Sequence, residues 1–135
     1  MALYTDKINN IFEQINNDLE TAKDMIADER FLRAGNQCHF VIKTALKALV
    51  FYKTDKIPSE IRFIDQLAKL AGIFDDLTKE QLDFIDFLDP LNIITRYSKS
   101  EFKGTVYELL NEQKCNDIYL KTKEFIPWIR SKFHR

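Results

Sequence analysis

Glycine and proline are scarce in this chain, with three of each in 135 residues, and that scarcity excludes most turn-rich architectures, which spend both residues on their many chain reversals. Cysteine is scarcer still. Cys38 and Cys115 are too few and too far apart for a disulfide framework, and no metal-ligand spacing surrounds them, so both read as reduced thiols and neither a metal nor a cofactor is expected. An excess of charge of either sign is also missing: 20 basic against 21 acidic residues rule out a wholly electrostatic nucleic-acid binder, and any nucleotide or RNA contact must be local. No apolar run approaches the roughly 20 residues of a membrane helix. The opening "MALYTDKINN" lacks the charged start and apolar centre of a signal peptide. A cytoplasmic location without a membrane partner is therefore expected.

Hydrophobic residues at 45%, charged residues at 30% and aromatics at 13% make up a globular composition with material for a large core. The length fits a single domain over residues 1–135, since two would each have a thin core. Apolar residues recur at helical spacing throughout. The series Ile8, Phe12, Ile15, Leu19, Ala22, Ile26 alternates steps of four and three, which turns one stripe of a first helix inward and leaves Asp18, Glu20, Asp24 and Asp28 to solvent. A second helix is expected over about 30 to 53, with Ala34, Cys38, Val41, Ala45, Leu46 and Leu49 on its inner side.

Pro58-Ser59 opens an expected third helix with Ile61, Ile64, Leu67, Ala68 and Leu70 buried and Gly72 as its C-cap. Thr78-Lys79-Glu80-Gln81 has the threonine and glutamine of a capping box, with Leu77 and Leu82 at the positions of a hydrophobic staple, so a fourth helix starts there. Asp89-Pro90 then leaves two readings for residues 91 to 95: a kinked continuation, or a new turn capped by Asp89. Ser98 to Gly104 reads as a loop. A last helix is expected from about 104 to 133 through Tyr107, Leu110, Ile118, Phe125, Ile129 and Phe133, bent at Pro127. Short connections between four or five helices imply an all-α, antiparallel up-and-down bundle. Its many phenylalanines either fill a wide core or cover the interface of a homodimer.

Two groups of residues could carry chemistry. His39, Lys43 and Lys47 stand four apart and form a polar stripe beside the buried face of the second helix, where ammonium donors one turn apart suit a phosphate. The same spacing also describes an ordinary solvated face. Arg96-Tyr97 closes the fourth helix. The guanidinium either satisfies terminal carbonyls there or, with the tyrosine, clamps a phosphate and stacks a base in a groove beside the second helix.

"FLRAGNQCHFVIKTALKAL", "IRFIDQLAKLAG" and "LNIITRYSK", in that order, resemble the HEPN domain (higher eukaryotes and prokaryotes nucleotide-binding) in the version found as small stand-alone prokaryotic proteins. Lys47-Ala48-Leu49 and Arg96-Tyr97 match its lysine-alanine-leucine element and its closing arginine-tyrosine pair, and the likeness covers about residues 5 to 130. The resemblance implies a four- or five-helix bundle, commonly dimeric, that binds a nucleotide or RNA through Arg96, Tyr97, Lys47, Lys43 and His39. It also implies a nucleotidyltransferase-like partner in a toxin–antitoxin-like pair.

Members best known for activity are metal-independent ribonucleases marked by an arginine with a histidine four to six residues later. Here Arg96 is followed by "YSKSEFK", so the signature is incomplete and no catalytic residue is assigned. His39 facing Arg96 across the groove would restore a pair, whereas His134 stands close to the C-terminus. Lys43 occupies a position where members often carry glutamate, and so makes the expected site more cationic. The alternatives to a ligand-binding protein are thus a ribonuclease with a non-standard site and a non-catalytic helical interaction module.

Overall fold

A computed structural model of the chain describes residues 2–58, 61, 63–97 and 110–134, with only the backbone described at 2–4 and 92–97. Among the described residues five α-helices and a 3-10 turn make up the bundle: α1 Ala2–Ala27, α2 Phe31–Thr54, α3 Ile64–Leu70, the turn Phe74–Asp76, α4 Lys79–Tyr97 and α5 Glu112–Arg130. One hydrophobic cluster draws on all five helices. Phe12, Ile15, Leu19, Ala22 and Ile26 from α1 and Ala34, Cys38, Val41, Ala45, Leu46 and Leu49 from α2 are all buried in it, as their spacing requires. No described helix is long and apolar enough to cross a membrane.

Side-chain pairs fix the direction of each helix. Gln37 Nε2 donates to the Asp18 carbonyl at 3.0 Å, and Phe12 meets Phe133 edge-on at 5.4 Å between centroids, so α1 runs antiparallel to α2 and α5. The Cys115 thiol donates to the Phe31 carbonyl while Tyr52 packs on Phe133, which makes α2 and α5 parallel. The α4 helix descends against both. Asp89 meets His39 and Leu91 meets Gly35, the order reversing between the two helices. Gly35 permits that approach: a Cβ there would stand 3.3 Å from Leu91 Cδ1, closer than packed carbons normally lie.

Local signals explain most helix ends. Thr78 N donates to Gln81 Oε1 at 2.9 Å and Gln81 N to Thr78 Oγ1 at 3.1 Å, the reciprocal capping box that starts α4. Gly72, at φ 73°, closes α3 in a Schellman arrangement, with Ile73 N on the Ala68 carbonyl and Gly72 N on that of Lys69. The same motif ends α1, but Glu29 holds the left-handed position at φ 61°, and Arg30 N reaches the Met25 carbonyl.

Two expected helix starts move. The third helix begins at Ile64 rather than at Pro58-Ser59, because Ile61 and Phe63 are not helical, and Leu70 at its end is 50% exposed. The last helix does not pass through Leu110: Leu110 and Asn111 are non-helical, and Asn111 Oδ1 accepts from Lys114 N at 2.8 Å, an N-cap that starts α5 at Glu112. The expected loop at Ser98 to Gly104, and Tyr107, lie outside the described residues. At Asp89-Pro90 the continuous reading holds, as α4 runs unbroken through Pro90 to Tyr97. Asp89 does not cap its own helix there. Its side chain serves α2 and α3 instead.

Candidate functional site

Asp89 is the polar centre of the bundle. Its Oδ1 accepts from His39 Nε2 and from the Ile64 backbone N–H, both at 2.8 Å, while Oδ2 stands 3.5 Å from the Asp65 N–H. The α3 helix has no capping side chain of its own at Phe63. A carboxylate fifty residues away from His39 in sequence thus supplies the N-terminal acceptor that α3 lacks. His39 is 1% exposed and Asp89 8%, so the imidazole is spent on holding α2, α3 and α4 together.

His39 therefore leaves the stripe expected on α2, and helical geometry gives the reason. Residues four apart advance about 400° on a helix with 3.6 residues per turn, a drift of about 40° per step. Across His39, Lys43 and Lys47 this drift carries the side chain from buried through half-buried to exposed.

Axial position separates the lysines from Arg96-Tyr97. From the His39–Asp89 contact, Lys47 lies about 12 Å along α2 in one direction, whereas Arg96 lies about 10 Å along α4 in the other, at about 1.5 Å per residue. Roughly 22 Å of bundle axis thus lies between the two cationic positions. Both Arg96 and Tyr97 belong to the last turn of α4, and their side chains lie outside the described residues. The structure brings Lys43 and Lys47 onto one edge of α2, sets His39 inside beside Asp89, and holds Arg96-Tyr97 at the far end of the bundle. A ribonuclease built on His39 would need that imidazole at Arg96, yet its Nε2 is committed to Asp89.

The charge distribution adds a feature that no short motif carries. Arg33, Lys43, Lys47 and Lys53 are the charged residues of α2, which has no aspartate or glutamate along its 24 residues. By contrast, α1 carries Asp6, Glu13, Asp18, Glu20 and Asp24 against Lys7 and Lys23. A net charge of −1 conceals this segregation, and only counting helix by helix reveals it. Two large rings share the outer face of α2 with the cations: Phe40 is 49% exposed and Phe51 44%.

The thiols offer no reactive centre. Cys38 is pushed up to about 12 by burial and Cys115 to about 11 by the same cause, so neither forms the thiolate that reacts at neutral pH. Among the described residues no group of histidine, cysteine and carboxylate side chains could hold a metal ion. The family model described as HEPN domain matches residues 9–132, nearly the whole chain. Searches of the curated proteins and of the solved structures found no match.

Proposed function

The chain belongs to the HEPN domain family, and from that premise we propose that it is a cytoplasmic protein that binds a nucleotide or RNA element. One observation supports this most: α2 gathers four cations and no carboxylate in a chain whose net charge is −1. A phosphate-bearing ligand is attracted to such an edge by Coulomb forces and releases counterions on binding. Lys47 and Lys43 contact phosphate in this reading, and Arg96 with Tyr97 forms a second contact point at the end of α4. His39 acts indirectly, by fixing α2 against α4.

The partner in this reading is a nucleotidyltransferase-like protein in a toxin–antitoxin-like pair, and the chain pairs with a second copy of itself. The deciding measurement is the affinity of the purified protein for RNA and for mononucleotides across a salt series. Lys47→Glu should weaken binding at least tenfold and flatten the salt dependence, and Arg96→Ala should weaken it as well. Affinities unchanged in both variants would end the proposal.

A second reading, a non-catalytic interaction module, draws on Ile57 at 83%, Leu70 at 50% and Leu120 at 57% exposure, apolar side chains outside α2 that a partner could cover. It requires a stable partner on co-purification and no change in melting temperature with added nucleotide, whereas a ligand that binds the folded state raises it.

A further inference from the structure

Resting on the RNA-binding reading above, we propose that the outer face of α2 is a platform for a single-stranded polynucleotide, with Phe40 and Phe51 stacking bases and Arg33, Lys43 and Lys47 following the phosphates. The spacing is the first argument. Arg33, Phe40 and Lys47 follow one another at seven-residue intervals and Phe51 stands eleven beyond Phe40, both close to whole numbers of 3.6-residue turns, so the four share one line along the helix. Ring and cation alternate on that line. Arg33 and Lys47 form no ion pair with another described residue, and both are exposed.

The second argument concerns length. Phe40 and Phe51 lie about 16 Å apart along the helix axis at about 1.5 Å per residue, while stacked bases of one strand rise about 3.4 Å per step. One mononucleotide cannot touch both rings. A run of about five nucleotides can. The roughly 22 Å between Lys47 and the end of α4 likewise suits a polymer, which could continue to Arg96-Tyr97.

Ring stacking also sets strandedness, because the base faces of a duplex are already covered by their neighbours, whereas a single strand offers them to an aromatic side chain. The α2 of a second copy is a poor occupant of the same face. It would bring the same cations against these, with no carboxylate on either α2 to offset them.

The test is fluorescence anisotropy on the full chain with labelled oligouridines of about two, five and ten nucleotides, an oligothymidine of the middle length, and an RNA duplex. Affinity should rise steeply between the first two lengths, and the duplex should bind at least tenfold more weakly. Equal binding of oligouridine and oligothymidine would identify the ligand as any single strand; preference for oligouridine would identify it as RNA, and both outcomes support the platform. Phe40→Leu keeps an apolar side chain of helix-compatible shape but removes the ring, and should weaken the longer oligouridines roughly tenfold, the loss of about one stacked base.

Phe51→Leu should act alike, with unchanged circular dichroism and melting temperature confirming that both variants fold. Tight duplex binding, or oligouridine affinity unchanged in both leucine variants, overturns the platform. If Arg96→Ala abolishes binding while the leucine variants retain it, the platform falls and the RNA-binding reading stands; if the unaltered protein binds no oligonucleotide or nucleotide, both fall.

Discussion

Replacing Asp89 by alanine should destabilise the bundle by about 1.5–5 kcal/mol, the sum of one stranded buried donor and one lost helix cap. The first contribution comes from His39, which is 1% exposed. Without the carboxylate its Nε2–H has no acceptor, and a buried donor left unpaired costs about 1–3 kcal/mol. The second comes from α3, whose Ile64 N–H loses its 2.8 Å acceptor at a residue with no exposure; loss of an N-cap costs about 0.5–2 kcal/mol. The 3.5 Å approach of the Asp65 N–H adds little at that length. Against a typical domain stability of about 5–15 kcal/mol, the change is large.

Urea denaturation followed by circular dichroism gives the total, and a double-mutant cycle with His39→Ala gives the coupling, expected at about 1–3 kcal/mol. Amide exchange locates it. Exchange at Ile64 should accelerate in Asp89→Ala and stay near its original rate in His39→Ala, because the carboxylate still caps α3 there. A loss under about 1 kcal/mol, additive single variants, or α3 amides indifferent to Asp89 would each refute the reasoning.

Other consequences are more local. Thr78→Ala should cost about 1 kcal/mol and Gln81→Ala less, since each removes one arm of the capping box, and thermal melts read both. Glu29→Gly should stabilise by up to about 1 kcal/mol, because glycine adopts the left-handed conformation without the steric cost of a Cβ; a lower melting temperature would contradict this. Burial holds the Cys38 thiol up at about 12 and that of Cys115 at about 11, above the 9.0 of an unperturbed thiol. The thiols' contribution to stability is therefore full below pH about 9 and is lost as pH rises toward the folded-state values, at up to about 1.4 kcal/mol per pH unit for each thiol. Urea midpoints at pH values from about 8 to 10 should fall more steeply for the unaltered protein than for Cys38→Ala. Neither thiol should react with an alkylating agent at neutral pH until the chain unfolds.

Much of this architecture was legible in the residues because it is written at short range. The core stripe of α1, the inner face of α2 and the Thr78–Gln81 box each depend on neighbours three or four positions away, and periodicity reads them directly. The HEPN resemblance likewise rested on the order of three short segments, and the family match covers them. The start of α5 was missed for an instructive reason. Apolar spacing through Tyr107, Leu110 and Ile118 continues across Asn111, and periodicity outweighed a residue whose side chain favours capping over helix interior. Leu70 failed differently: at 3.6 residues per turn it stands about 60° outside the arc that buries Ile64, Leu67, Ala68 and Ala71.

The candidate site was less legible because two of its determinants are not periodic. Asp89 beside Pro90 resembles a cap for its own helix, and no local signal indicates that its carboxylate crosses to α2 and α3; that partnership exists only once three helices have docked. The stripe of His39, Lys43 and Lys47 failed through a small angle, since about 40° of drift per four residues moves one member inside and another to the surface. The same angular argument selects the line that does stay on the surface. Steps of seven and eleven residues drift only about 20°, so Arg33, Phe40, Lys47 and Phe51 hold one outward direction where steps of four cannot. On a helix without carboxylates, that alignment makes a ladder of cations and rings, and a ladder suits a ligand that repeats its own phosphates and bases.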